Sequence, residues 1–392
     1  MTRLTVINAH VFDGAERTEG PVHMENGVIV QVGGAAPATD QVIDARGGTV
    51  IPGLIDAHCH AYAISLDPLV IETNLLSYVA LIAAQRLRAA LARGFTTIRD
   101  VAGGDPGLAK AISEGVIASP RYFYTGPALS QTGGHGDPRA GDRELCGCGS
   151  HMSEVVDGVD AVRQAVRERF RRGAHAIKVL ASGGVISPTD PIRNPQYSAE
   201  ELRAITDEAA RRGSYVAAHA YSPEAIVHAV TNGVRTIEHG NLLDTASAAV
   251  MAEHGAYLVP TLAPYDAMDR RGPEMGLAPA SQEKNKQVLE SGRKAIELAV
   301  EAGVPVGFGS DLMGSLEDEQ LNGLRLQVEV TGIRETLRSA TRVNADILGR
   351  PDLGRIEPGA AGDLVILPGD VLENPSLLWD GPRTVILAGK QA

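Results

Sequence analysis

Aromatic residues are scarce. Phe, Tyr and Trp make up 4% of the 392 residues, with a single Trp, and no alternation of aromatic and basic side chains offers a platform for stacking nucleic-acid bases. Basic charge is short as well. Lys and Arg number 36 against 48 Asp and Glu, a formal net charge of −12, so the chain lacks the cationic footprint that displaces counterions from a phosphate backbone. No apolar run approaches the ~18 residues of a membrane span. Three cysteines are too few for a disulfide framework and point to a reducing cytoplasm. The opening residues Met1-Thr2-Arg3-Leu4-Thr5-Val6 read as a strand and carry no signal-peptide core. What remains, 44% hydrophobic and 21% charged residues, is the composition of an ordinary soluble globular protein with a small-molecule rather than a nucleic-acid or membrane partner.

The two ends of the chain share a texture that the middle does not. Residues 1–50 alternate short strands (Leu4–Ile7, Val28–Val32, Gln41–Asp44) with Gly-rich turns, and residues 356–392 repeat this with Gly362–Leu367 and Arg383–Leu387. Both flanks are expected to form one small β-sandwich domain. Residues 51–355 alternate strands and Ala/Arg-rich helices. The expected strands are Val50–His60, Thr96–Val101, Tyr122–Ser130, Ala176–Ser182, Tyr215–Tyr221, Thr236–Gly240, Tyr257–Thr261 and Val306–Asp311. The expected helices are 77–93, 153–172, 198–212, 222–232 and 286–302. Eight strands alternating with helices give the count of an α/β (β/α)8 TIM barrel. An open doubly wound sheet would want a GxGxxG turn after an early strand, and none occurs. Three long loops, Gln131–Ser153, Gly183–Ser198 and Leu262–Gln282, all follow strands. In a barrel that places them on the catalytic face.

The chemistry gathers at strand ends. In Asp56-Ala57-His58-Cys59-His60, alternation turns His58 and His60 to one side and Cys59 to the other. Two such imidazoles chelate a borderline-soft cation such as zinc, although a surface strand could carry the same pair. His219 closes Tyr215–Ala218, His239 closes Thr236–Glu238, and Asp311 follows Val306–Ser310. Four His and one Asp at equivalent ends of strands 1, 5, 6 and 8 are hard to explain independently. Lys178 lies between apolar neighbours on strand 4, where desolvation favours the neutral amine. A neutral amine can take up carbon dioxide as a carbamate, whose two oxygens could bridge two divalent cations. A buried Lys paired with a carboxylate is the alternative. Only six residues of the chain are Lys.

These residues resemble the amidohydrolase superfamily. Ile51-Pro52-Gly53-Leu54-Ile55-Asp56-Ala57-His58-Cys59-His60 is similar to its opening signature, and Pro358-Gly359-Ala360-Ala361-Gly362-Asp363-Leu364-Val365 to its returning β-sandwich. Gly133-Gly134-His135-Gly136-Asp137, Ser182-Gly183-Gly184-Val185 and His219-Ala220-Tyr221 resemble the prolidase branch, which cleaves Xaa-Pro dipeptides or removes C-terminal residues from small peptides and N-acyl amino acids. The resemblance implies one metal on His58, His60 and Asp311 and a second on His219 and His239. Carboxylated Lys178 and a hydroxide would lie between them. It also implies a homo-oligomer. Two cations ~3.5–4 Å apart lower the pKa of a shared water from 15.7 toward ~7, and Asp311 could pass its proton to the leaving amine. A mononuclear deaminase or an imidazolonepropionase-like ring hydrolase shares the barrel but generally lacks the strand-4 Lys.

Other residues have two readings each. Tyr221 shares the inward face with His219 and could donate to a tetrahedral oxyanion, or pack at the rim. His135 could fold over the site as a second donor or stand in solvent. Arg193, in Pro191-Ile192-Arg193-Asn194-Pro195, could clasp a substrate carboxylate. The amides of Gly183, Gly184 and Val185 could instead form an anion nest. Cys146 and Cys148 read as loop thiols, and Cys59 as a small buried filler.

Overall fold

The computed structural model of the chain describes residues 2–14, 16–35, 39–139, 151–187 and 190–392. Gly53 divides the first long apolar run. Thr49–Pro52 pairs with strands from both ends of the chain, giving a six-stranded sheet ordered Lys390–Gln391, Thr384–Leu387, Leu364–Leu367, Thr49–Pro52, His10–Phe12, Arg17–Glu19. A four-stranded sheet (Val28–Val32, Val22–Glu25, Arg3–Ile7, Gln41–Asp44) shares an apolar layer with it. Val6, Val11, Met24, Ile29, Val50, Leu364 and Ile386 are all buried there. Residues from the two termini thus share one sheet.

Leu54–Cys59 opens the parallel core. It pairs with Phe95–Asp100, which pairs with Arg121–Tyr124. A second parallel run joins Ser153–Val155, Ala128–Ser130, Ile177–Leu180, Val216–Ala220, Thr236–His239 and Tyr257–Val259. The third expected strand is therefore split at Thr125-Gly126-Pro127, where Gly126 has a φ of 72° and Pro127 has no N–H to offer a ladder.

The eighth expected strand, Val306–Asp311, is not a regular strand. Val306 makes one parallel bridge to Leu258. Beyond it the Ala57 N–H donates to the Phe308 carbonyl at 3.0 Å, and the Ser310 and Asp311 N–H groups donate to the His58 carbonyl at 3.1 and 2.8 Å. A Cβ on Gly309 would collide with the side chain of His58, so a glycine is needed for this approach. Asn344 rivets the junction, its amide donating to the Ile55 and Phe308 carbonyls at 2.7 and 2.8 Å. These links join the last parallel segment to the first and give a barrel-like α/β core.

The helices Leu76–Ala92, Ala199–Ala210 and Pro223–Thr231 fall where they were expected, and Pro279–Glu301 begins earlier than expected. The helix expected over 153–172 is confined to Val159–Arg171, because Ser153–Val155 pairs as a strand with Ala128–Ser130. The expected loop from Leu262 to Gln282 needs correcting as well: Leu262–Arg271 is a helix, and the next helix begins at Pro279. Pro264 sits in the first turn of Leu262–Arg271, where its missing N–H leaves no bond unmade, and Leu262, Ala263, Tyr265, Ala267 and Met268 turn a buried face inward. Cys146 and Cys148 lie outside the described residues. Among the described residues, no helix is long and apolar enough to cross a membrane.

Candidate active site

Parallel strands end on the same side of their sheet, so the side chains at those ends converge. His58, His60, Lys178, His219, His239 and Asp311 all line one cavity of about 1070 Å³, open mouth included. Asp311 is the hub of one group. Its Oδ1 lies 3.0 Å from His60 Nε2 and 3.4 Å from His58 Nε2, while its Oδ2 is 3.6 Å from His239 Nδ1. The two Nε2 atoms of His58 and His60 are 3.2 Å apart. His219 sits behind, with its ring 4.5 Å from that of His239. Ligand atoms of His58, His239 and Asp311 lie within 4.8 Å of one another, close enough to hold one cation. His239 and Asp311 both adopt left-handed backbone, with φ of 75° and 50°. Non-glycine residues hold such φ at a cost of ~1–3 kcal/mol, commonly where a functional side chain must be aimed.

Hydrogen bonds on the far side of the rings select which nitrogen faces the cluster. The Nδ1–H of His58 donates to Glu238 Oε2 at 2.7 Å, leaving Nε2 for the centre. His219 does the reverse, donating from Nε2 to the Gly183 carbonyl at 3.0 Å and leaving Nδ1. His239 Nδ1 is engaged by the hydroxyls of Thr261 at 2.8 Å and Tyr265 at 3.0 Å. Burial holds the pKa of His60 down, and those of His219 and His239 well down. These rings are neutral donors, the form a cation requires. Burial pushes the Asp311 carboxyl upward, but the charge of His58 and hydrogen bonds from His58 and His60 outweigh it and keep the group ionised.

Lys178 is the exceptional group. Its Nζ is buried without a hydrogen-bond partner, and desolvation lowers its pKa to about 8. An unpaired buried ammonium is costly, so the position suits an amine that is modified or faces an ion.

Tyr221 and His135 both reach the cavity. The His135 ring stacks on that of His219, with centroids 4.3 Å apart. It rests on Gly184, where any Cβ would fall inside the ring. Val185 lines the cavity; Gly184 serves as the floor beneath His135 rather than as cavity wall. Arg193 is not brought to the site. It is 58% exposed and paired at 3.3 Å with the equally exposed Glu224, where the turn that carries it faces solvent.

Several residues escaped the sequence reading. Glu238 immediately precedes a candidate ligand, yet its importance shows only when strand 2 delivers Arg99 to its other oxygen at 2.8 Å. Tyr265 was hidden by the helix read as a loop, and Thr261, the last residue of an expected strand, was not singled out. Asp56, inside the quoted motif, accepts from the His58 and Ser310 N–H groups and from Gln320 at 3.1, 3.0 and 2.9 Å. It thereby pins the first strand to the eighth segment.

Parallel strands bring His, Asp and Lys side chains into one cavity, and the chain's family and relatives make it a hydrolase acting on C–N bonds. The chain belongs to the amidohydrolase family, whose model matches residues 49–392. It is 32% identical over 98% of its length to the ochratoxinase of Aspergillus niger, covering 85% of that protein. Among solved structures, a prolidase in complex with N-methylphosphonate-L-proline superposes with a TM-score of 0.97 at 44% identity, covering 100% of this chain and 99% of that one. A Xaa-Pro dipeptidase with methionine in its active site gives 0.89 at 29% identity, covering both chains in full.

Proposed function

We propose that this protein is a binuclear metal-dependent amidohydrolase that cleaves the amide bond of a small dipeptide-like or N-acyl amino acid substrate. The observation that carries the reading is the unpartnered, desolvated Nζ of Lys178 in the same cavity as four buried imidazoles and the Asp311 carboxylate. Nitrogen and carboxylate donors of this kind suit zinc first. His58, His60 and Asp311 would hold one cation and His219 and His239 the other, with carbamylated Lys178 between them. Bound there, two divalent cations would supply Lewis acidity and an activated water.

The chain's own residues do the rest. Asp311, ionised and central, takes a proton and returns it to the departing amine nitrogen, which leaves poorly as an anion. Tyr221 and His135 flank the position where the carbonyl oxygen gains charge and donate to it. Leu66, Ile71, Leu180, Met268 and Leu316 line the cavity and exclude water from the reacting bond. The similarity to a prolidase and to an ochratoxinase supports an amide substrate. In this reading residues 51–355 form the (β/α)8 barrel, and 1–50 with 356–392 the β-sandwich domain of a cytoplasmic, homo-oligomeric enzyme. The test is a hydrolysis screen over Xaa-Pro, Xaa-Arg, Xaa-Lys and N-acyl amino acids, with Lys178→Ala as control. Release of free amino acid by the wild type alone supports the proposal. Equal activity in the variant contradicts it, and release of ammonia from a heterocycle in place of amide cleavage would favour a deaminase.

A further inference from the structure

Tyr265 is 1% exposed, and its hydroxyl sits among three polar atoms. Tyr221 OH is 2.8 Å away, His239 Nδ1 3.0 Å and Thr261 Oγ1 3.3 Å. Thr261 Oγ1 also lies 2.8 Å from His239 Nδ1. The order of these contacts gives the chain a direction. The Nδ1 of His239 lies closer to the hydroxyls of Thr261 and Tyr265, at 2.8 and 3.0 Å, than to Asp311 Oδ2 at 3.6 Å; with its proton on Nδ1 the ring donates to them and leaves Nε2 free as a ligand atom. Two hydroxyl oxygens accept it, those of Thr261 and Tyr265. Tyr265 then has its own proton to place, and Tyr221 at 2.8 Å is nearer than Thr261 at 3.3 Å. Tyr221 becomes the acceptor. Among the described residues its hydroxyl meets no other hydrogen-bond partner, so its proton is left for the cavity that it lines.

We propose that Tyr265 is a positioning residue that relays the hydrogen bond of His239 to Tyr221, aiming the Tyr221 O–H at the substrate carbonyl oxygen. The inference rests on the amidase reading above. No proton changes owner along the chain; each donor polarises the next, and such chains strengthen cooperatively. Tyr265→Phe removes the relay while Thr261 still holds His239, so the ligand and the donor are affected separately.

The experiment compares metal-loaded wild type, Tyr221→Phe, Tyr265→Phe and the double variant on an N-acyl amino acid. It reads kcat, KM, bound metal and the Kd of a tetrahedral phosphonate mimic. Tyr221→Phe is expected to lower kcat by on the order of 10²-fold, as loss of an oxyanion donor does. Tyr265→Phe should lower it ~10-fold, with KM and metal content unchanged and phosphonate binding weakened by the same factor. In the Tyr221→Phe background it should have no further effect. A loss of equal size in both backgrounds, or a loss of bound metal, overturns the relay. Should Tyr265→Phe fail to fold, difluorotyrosine at position 265 keeps the packing and strengthens the donor; kcat is then expected to rise, and an unchanged kcat overturns the proposal. A wild type inactive on every amide refutes the amidase reading itself, whereas an active wild type with independent variants refutes the relay alone.

Discussion

Glu238 is shared between a buried imidazole and a buried guanidinium: its Oε2 accepts from His58 Nδ1 at 2.7 Å, and its Oε1 accepts from Arg99 at 2.8 Å. Both side chains of the Arg99–Glu238 pair are at most 1% exposed. Burial alone would push the Glu238 carboxyl up, but the charge of Arg99 and the His58 hydrogen bond bring it well below the usual range. Glu238 therefore fixes the tautomer and tilt of a candidate ligand from behind.

Glu238→Ala should be the most damaging single change in the core. It strands the Arg99 guanidinium, and breaking a buried pair in this way costs ~3–5 kcal/mol. Glu238→Gln should retain more stability yet weaken divalent-metal affinity by ~10–100-fold, the usual effect of removing a partner from behind a ligand. Chemical unfolding and competition with a chelator measure the two effects separately.

Lys178→Met should leave the fold intact, because an apolar side chain replaces an amine that has no partner. Hydrolysis should fall by at least ~10²-fold if the carbamate is needed. Metal-stripped wild type reloaded in carbon dioxide-free buffer should recover activity more slowly than with added bicarbonate, and Lys178→Met should show no bicarbonate dependence.

Asp311→Asn keeps the size of the side chain and removes its basicity. Its contacts with His58, His60 and His239 at 3.0–3.6 Å make it the natural proton carrier. We expect kcat to drop ~10²–10⁴-fold with the melting temperature close to that of wild type. Unchanged turnover would remove Asp311 from proton transfer.

His175 sets a pH dependence of stability away from the reacting groups. Its Nε2 is buried without a partner, its ring packs against Phe123 and Tyr215, and burial, then the nearby Arg99, lowers its pKa from 6.5 to about 4. Between those values the unfolded chain binds a proton that the folded chain refuses. The stabilisation is complete above pH 6.5, declines as pH falls below it, and is fully lost once pH has passed through about 4. Denaturant titrations at pH 7 and pH 5 should show a smaller stability difference in His175→Gln than in wild type.

Much of this was legible in the sequence because strand ends are where chain order and chemistry coincide. His58, His60, Lys178, His219, His239 and Asp311 each close or occupy an apolar run, so locating the runs located the cavity. The eighth segment was harder to read. Val306–Asp311 has the composition of a strand, but Gly309 brings it against His58 of the first strand and Gly307 brings it against Asn344, and no regular ladder forms. The partners behind the cavity residues were illegible for a different reason. Arg99 and Glu238 lie 139 positions apart, and nothing local to either marks the other. Tyr265 fell within the segment expected to be a loop, although Pro264 sits in the first turn of a helix, where its missing N–H breaks no bond. Arg193 was chosen from its loop alone, and whether a loop arginine turns inward is decided by neighbours such as Glu224.

Native mass spectrometry of the metal-loaded chain tests the central claim most directly, because it weighs both the cations and the modification at Lys178. The account requires a mass increment of two divalent ions and one carbon dioxide per chain, with the carbon dioxide absent from Lys178→Met. A single ion with an unmodified lysine in the active wild-type enzyme would contradict it.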